Sequence, residues 1–354
     1  MNLDQLRERI DEIDAKLLEL LNQRMEVVHE VGALKRTSKT VIYRPEREKF
    51  IIDRLYKLNK GGLTRAAIEA IFLEIFSVSR HFELPERVAY LGPEGSFTHQ
   101  AAESRFGAVS EYVALNNIKQ IFDSVETERV RFGVVPIENN QEGSVAETID
   151  QLCERDIKIV AEVPMSIHFT LSGLEDRLEK IHTIYSKDIA FRQCKNFLEN
   201  YFGDRVNLVE VASTSKAAKL ASEEEGAAAI CSHIAAKLYN LPVLFENIED
   251  SKSNRTRFFI ISKNIVNQKS DNDKTTILAK IKDEPGGLVE FLNDFKREKI
   301  NLCKLESRPA RIKASFKYFF LIDFEGHYTD LNAQRIFEKY GERITFLGSY
   351  VRMV

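Results

Sequence analysis

The sequence predicts a multidomain protein built from an all-α segment, a two-lobed α/β domain and a small α+β unit. Three observations predict it. Residues 1–84 carry an apolar heptad repeat and no strand pattern, and residues 87–263 alternate short apolar strands with amphipathic helices. Residues 274–354 read βαββαβ behind a polar stretch.

In the first segment Leu3, Leu6, Ile10, Ile13, Leu17, Leu20, Val27, Val31 and Leu34 keep a/d spacing, which predicts one helix from Leu3 to Lys35. Tyr43-Arg44-Pro45-Glu46 opens a second helix, with Pro45 suited to its first turn. Gly61-Gly62 ends that helix, and Leu63-Thr64 starts a third through Arg80. The first helix is about 50 Å long at the usual rise per residue, too long for a compact three-helix core. Its a/d seam predicts a helical dimer.

In the second segment the strands are Val88–Leu91, Phe132–Val135, Thr183–Tyr185, Leu208–Val211 and Ala228–Ile230, with a largely parallel sheet expected. The extended run Ile157–Thr170 is long enough to cross from one lobe to another. Gly133-Val134-Val135-Pro136-Ile137 is an apolar strand that empties into Glu138-Asn139-Asn140-Gln141-Glu142, before Gly143-Ser144 leads to a helix. The carboxyl end of such a strand is where ligands bind in α/β sheets. A polar αβ turn has the same composition, and the run alone leaves both readings open.

Residues 264–274 are rich in Asn, Asp and Lys and read as a linker. Beyond them lie strand Thr275–Ile281, helix Gly287–Glu298, strands Asn301–Glu306 and Tyr318–Phe324, helix Asp330–Tyr340 and strand Ile344–Val351. That order is the ferredoxin-like split unit.

Composition narrows the function. A net charge of -3 with 44% hydrophobic and 30% charged residues offers no basic stripe for nucleic acid. No apolar run reaches membrane-spanning length, and the charged start through Arg9 lacks the apolar region of a secretory leader. Cys153, Cys194, Cys231 and Cys303 stand far apart, so neither a disulfide framework nor a zinc site is expected. The histidines are equally scattered. The expectation is a cytoplasmic protein without metal or cofactor.

Arg24 occupies an a position where Leu or Ile belongs, and a buried guanidinium needs an anion. It either snorkels or meets an acid of another helix, or else it binds a ligand together with Lys35, about 16 Å further on the same face. Arg7 lies about 25 Å from Arg24 and could join only from an antiparallel partner.

Residues 1–84 resemble the all-helical type of chorismate mutase through Leu6-Arg7-Glu8-Arg9-Ile10-Asp11, Leu20-Leu21-Asn22-Gln23-Arg24, Val31-Gly32-Ala33-Leu34-Lys35, Pro45-Glu46-Arg47-Glu48 and Ser77-Val78-Ser79-Arg80. The resemblance implies that Arg7 (from the other chain), Arg24 and Arg47 hold the carboxylates of chorismate. By the same resemblance Lys35 faces the ether oxygen, Glu48 takes the ring hydroxyl and Ser79 touches a carboxylate. The rearrangement to prephenate is unimolecular and needs only a cationic clamp on the reactive conformer. Two positions depart. Glu83 stands where some members carry Gln against the ether oxygen, so it can donate there only when protonated. Arg44 stands where some members have an acid.

Residues 87–263 resemble prephenate dehydratase, a fold like that of periplasmic binding proteins. The matching pieces are the turn Gly92-Pro93-Glu94-Gly95-Ser96, Val135-Pro136-Ile137-Glu138-Asn139 with Glu142-Gly143, Ser213-Thr214, and Thr256-Arg257-Phe258. The resemblance implies that Thr256 assists departure of the ring hydroxyl, and that Asn139, Ser186 and Gln193 line the same cleft with Glu138 beside them. Arg257 reads as a clamp for a substrate carboxylate. Where the family often has Ser-His-Pro-Gln, this chain has Ser186-Lys187-Asp188-Ile189.

In residues 274–354, Pro285-Gly286-Gly287-Leu288-Val289 and Glu306-Ser307-Arg308-Pro309 resemble the segments of the ACT regulatory domain. In that family Gly286, Gly287, Leu288, Val289, Glu306, Ser307, Arg308 and Pro309 match residues that bind phenylalanine between two chains. Together the resemblances imply a bifunctional enzyme of phenylalanine synthesis, a homodimer or homotetramer acting on chorismate and prephenate with feedback inhibition by phenylalanine. The rival readings are a dehydratase preferring arogenate, and a catalytically inert amino-acid sensor.

Overall fold

The computed structural model describes residues 2–38, 44–83, 87–251, 253–282, 284–309 and 318–353. The chain forms two units, Met1–Glu86 with Phe106–Glu111, and Arg87–Arg105 with Tyr112–Val354.

The first unit holds α1 (Leu3–Ser38), α2 (Pro45–Leu58) and α3 (Arg65–Glu83). Pro45 sits in the first turn of α2, where its missing N–H costs nothing. The buried core is small: Ile52, Ile68 and Phe76 are its fully covered apolar residues, with Ile51, Leu55 and Phe72 against them. Every apolar a/d residue of the first helix, from Leu3 to Leu34, is exposed, Leu34 by 72% and Leu3 by 61%.

The second unit begins with β1 (Arg87–Leu91), α4 (Phe97–Phe106), β2 (Glu111–Leu115), α5 (Ile118–Glu126), β3 (Phe132–Asn139), β4 (Gly143–Ser144), α6 (Ala146–Glu154) and β5 (Lys158–Ser166). It continues with β6 (Thr170–Gly173), β7 (Thr183–Ser186), α7 (Asp188–Gln193), α8 (Lys195–Tyr201), β8 (Asn207–Glu210), α9 (Thr214–Glu223), β9 (Ala227–Cys231), α10 (His233–Leu238) and β10 (Val243–Glu246). It closes with β11 (Arg255–Ser262), β12 (Asp273–Lys280), α11 (Gly287–Arg297), β13 (Leu302–Pro309), β14 (Tyr318–Glu325), α12 (Leu331–Tyr340) and β15 (Ile344–Val351). Side-chain caps start several helices: Asn117 accepts from Gln120 N, and Ser213 from Lys216 N at 3.0 Å.

Among the described residues the strands form three sheets, in the orders β2-β1-β3-β11-β5 with β4 on β3, β10-β6-β9-β7-β8, and β13-β14-β12-β15. The first two are mixed rather than largely parallel. β1 and β3 are parallel, as are β7 with β8 and β9, but β11 runs antiparallel between β3 and β5. The cause is the chain path. β5 leads out to the second sheet through residues 167–169, and β11 returns at the end where β5 left, Arg255 opposite Ser166, so it runs against β5.

The third sheet is covered on both faces. Ile277, Ile322, Phe324, Phe291, Phe295 and Ile336 form a core with α11 and α12. Leu278, Leu321, Leu347 and Tyr350 face the other way and lie in one core with Ile121, Phe122, Val135, Ile159 and Phe259 of the first sheet and α5. Consecutive residues such as Ile277 and Leu278 serve opposite faces, as strand geometry requires. Gly348 permits the contact, because a Cβ there would run into the carbonyl oxygen of Ile159. The stretch expected as a linker is tied down as well: buried Asn267 donates to the carbonyls of Val160 at 2.6 Å and Ser349 at 3.1 Å.

Candidate active sites

In the helical unit Arg24 of α1 donates to the hydroxyl of Ser79 on α3, which itself donates to Ile75 O at 2.6 Å. The guanidinium stands 5.9 Å from the Phe76 ring centroid. Burial lowers the pKa of Arg24 against the opposing pull of Glu83. Glu83 is buried and lies close to Gly32, whose Cβ, were there one, would sit 3.3 Å from Glu83 Cγ. A glycine here lets α1 and α3 approach. Arg24, Ser79 and Glu83 are therefore together.

The remaining mutase residues are dispersed. Glu48 is engaged by Arg80, a buried guanidinium that the sequence reading left unassigned. Arg47 is exposed, 5.3 Å from the Phe50 centroid, and Arg44 pairs with Glu46 at 2.9 Å. Arg7 pairs loosely with Asp4 at 3.6 Å near the start of α1. Lys35 belongs to α1, and its side chain lies outside the described residues.

In the second unit the key geometry is two adjacent rungs between β3 and β11, Asn139 opposite Thr256 and Glu138 opposite Arg257. Asn139 Nδ2 donates to Thr256 Oγ1 at 2.8 Å and to Asn254 Oδ1 at 2.9 Å. Its Oδ1 accepts from the backbone N–H of Gln141 at 2.8 Å and Glu142 at 3.0 Å. Those two donors fix which end of the amide is the oxygen, so the NH₂ must face the threonine. With its oxygen accepting from Asn139, Thr256 has its own O–H left to give. Gln193, from the second lobe, joins the group: its Nε2 donates to Gln141 Oε1 at 2.7 Å and its Oε1 accepts from Asn254 at 3.1 Å. Asn254 and Gln141 had no assigned role. Their signal was present in the polar runs flanking Asn139 and Thr256.

Ser186 is placed differently. It is fully buried and donates to Ile230 O at 2.7 Å. The glycine turn is locked from behind, with Ser232 donating to Gly95 O at 2.7 Å and Gly95 N–H donating to His99 Nδ1 at 3.1 Å.

The other rung faces away from the threonine. Arg257, read from sequence as a substrate clamp, is held by three acids of this chain: Glu138 at 2.6 Å, Asp323 at 2.6 Å and Glu162 at 3.2 Å. Strand alternation is the reason, since residues next to each other on β11 point to opposite faces. Burial pulls the Arg257 pKa down, but Asp323, Tyr350, Glu138 and Glu162 outweigh it and raise it above the ordinary value. Glu138 likewise sits on the far face from Asn139. Burial pushes its carboxyl up, yet Arg257 and Lys304 prevail and hold it below the usual range. Lys274 completes the cluster, donating to Glu162 at 2.8 Å.

The C-terminal segments meet this cluster. Along β13 the partly buried Lys304, Glu306 and Arg308 alternate with exposed Cys303, Leu305, Ser307 and Pro309. Lys304 pairs with Glu138, Glu306 accepts from Ser144 of β4, and Arg308 reaches Asp150 of α6 at 3.1 Å. Gly286 caps α11 at φ 87°, a conformation that suits glycine, while Leu288 is half-buried and Val289 exposed.

Comparison with known proteins agrees with this partition. The chorismate mutase type II family matches residues 6–84 and the prephenate dehydratase family matches residues 88–266. A bifunctional chorismate mutase/prephenate dehydratase of Aquifex aeolicus is 40% identical, covering 98% of this chain and 97% of its own. The protein of the same description from Pseudomonas aeruginosa is 38% identical over 99% and 98%. Among solved structures, prephenate dehydratase of Arthrobacter aurescens in complex with L-Phe superposes with a TM-score of 0.67 at 30% identity, covering 75% of this chain and 90% of its own. Two catalytic domains in one chain, aligned end to end with such relatives, place this protein in the bifunctional chorismate mutase/prephenate dehydratase family.

Proposed function

We propose that Thr256 gives the hydrogen bond that carries off the ring hydroxyl of prephenate, with Asn139 setting its direction. The chain has both activities of its family, converting chorismate to prephenate and prephenate onward in phenylalanine synthesis. In the second step the ring carboxylate leaves as carbon dioxide, its electron pair enters the ring, and the hydroxyl departs as hydroxide, which takes a proton from solvent to become water. Aromatisation drives the reaction, so the protein need only polarise the leaving oxygen and hold the substrate. The Asn139–Thr256 bond is the observation that carries this assignment. Gln193, Asn254 and Gln141 tie the two lobes around it. Ser186 supports the wall from inside β7.

For the mutase step, Arg24 and Ser79 take a chorismate carboxylate, with Lys35 and Glu83 toward the ether oxygen. Arg47 and Glu48 hold the remaining polar groups, Arg80 steadying Glu48. Arg7 enters from a second copy. The exposed seam of α1 supports that pairing, since nine apolar side chains in register are rarely left in water.

The βαββαβ unit is a ferredoxin-like ACT domain that takes phenylalanine between two chains and inhibits the dehydratase. The bound L-Phe of the Arthrobacter aurescens dehydratase supports the effector's identity. Gly286 to Val289 and Ser307 with Pro309 have surface left for a ligand, whereas Glu306 and Arg308 are already engaged within the chain. No described helix is long and apolar enough to cross a membrane, which fits a cytoplasmic enzyme.

The test is chorismate alone, with products followed by mass spectrometry. Phenylpyruvate is expected, with prephenate as the intermediate. Chorismate consumed no faster than it decays by itself would leave the inert-sensor reading standing, and preferential turnover of arogenate would change the substrate.

A further inference from the structure

We propose that Lys304, on the C-terminal sheet, is a positioning residue for the dehydratase site. The inference rests on the Thr256–Asn139 reading above. Lys304 is only 14% exposed and binds Glu138, and it also meets Glu306 at 3.1 Å. Glu138 precedes Asn139 on β3 and opposes Arg257, which follows Thr256 on β11. Both residues that carry the chemistry therefore have a backbone neighbour anchored by a charge on the third sheet: Glu138 by Lys304 of β13, Arg257 by Asp323 of β14.

The local backbone makes the anchor matter. Between these rungs and the next, the pairing skips from Arg257–Glu138 to Phe258–Pro136, so Ile137 is an extra residue on β3. Such a bulge bends its strand and sets where the following side chains aim. Beyond Asn139 the chain turns through Gln141 and Glu142 into the two-residue β4, which pairs with Glu138 and Asn139, so this strand end is a short hairpin rather than a long ladder. An ion pair on the adjacent residue fixes the rotation of that strand end. The charges facing Glu138 are Arg257 and Lys304 directly, with Glu306, Asp323, Glu162 and Lys274 behind them. Three cations (Arg257, Lys304, Lys274) thus share four carboxylates, and removing Lys304 leaves Glu138 with one cation fewer.

The experiment uses the full chain and three variants: Lys304→Met, which keeps length and loses charge, Lys304→Arg, which restores charge, and Thr256→Ala. Dehydratase kinetics are read on prephenate across pH, mutase turnover on chorismate is the control from the other unit, and urea unfolding followed by circular dichroism reports that each variant is folded. Lys304→Met is expected to lower dehydratase kcat about ten- to hundredfold, with KM and mutase turnover little changed. Lys304→Arg recovers most of the loss. Because Lys304 favours the ionised form of Glu138, the acid-side fall in activity of Lys304→Met should begin at higher pH. A merely structural lysine would not move that limb. Unchanged kcat and an unmoved acid limb in Lys304→Met, beside a collapse in Thr256→Ala, would overturn the proposal alone. Full turnover by Thr256→Ala would instead overturn the catalytic reading beneath it.

Discussion

Thr256 and Arg257 are consecutive on one strand and look in opposite directions. The threonine oxygen receives a hydrogen bond from Asn139 at 2.8 Å, and the arginine meets Asp323 of the C-terminal sheet at 2.6 Å. One residue faces Asn139 and the site proposed for the dehydration, the next faces the C-terminal sheet. This division organises what the chain should do when individual side chains change.

Thr256→Ala removes the donor to the departing oxygen, and dehydratase turnover should fall by more than about tenfold, equivalent to about 1.4 kcal/mol of barrier. Thr256→Ser, which keeps the hydroxyl, should lose less. Mutase turnover on the same preparations should not change. A smaller loss in Thr256→Ala removes the assignment.

Glu83 is buried beside Gly32, and Arg24 feels its charge. Only its protonated form can donate to an ether oxygen. Glu83→Gln, which supplies a permanent N–H donor, should therefore raise mutase turnover. Unchanged turnover in Glu83→Gln would show that donation from this position does not assist the reaction.

The α1 seam gives a prediction about assembly. Leu6 and Ile13 are 44% and 54% exposed, and in the proposed dimer a charge at either would be buried against a second copy. Leu6→Glu with Ile13→Glu should shift sedimentation toward smaller species and reduce mutase turnover, because Arg7 would no longer be supplied by the partner. A variant that sediments like the parent places the interface elsewhere.

The ion cluster predicts an acid sensitivity. Glu138 is held below the ordinary value of 4.5, so its contribution to stability is present above that value and is lost as pH falls through the lower folded-state value. The gap in urea midpoint between the parent and Glu138→Gln should be widest near neutrality and close in acid. A gap independent of pH would mean that the charge of Glu138 does not stabilise the fold.

Much of the fold was legible before any coordinates. The heptad marked α1, and the nine residues it picked out as a seam are all exposed, as is most of that helix. The βαββαβ order appears with its boundaries within a few residues. Two things were not legible. The direction of β11 depends on a chain that leaves the first sheet and returns at the same end some ninety residues later, which no local pattern records. The facing of Glu138 and Arg257 depends on register and on the bulge at Ile137, so a motif that groups consecutive residues cannot tell the chemical side chain from the anchoring one. Lys304 had a signal in the alternation Lys304, Glu306, Arg308, but its partner lies 166 residues away in sequence.

Gly348 closes against Ile159 with no room for a methyl group, and Leu278, Leu321, Leu347 and Tyr350 lie within the dehydratase interior. Each such side chain returned to water costs roughly 1.5–3 kcal/mol. The C-terminal sheet is therefore not a pendant that swings on a tether. A chain stopped before residue 273 would open the face of its own first sheet to solvent, so the two sheets stand or fall as one shared interior.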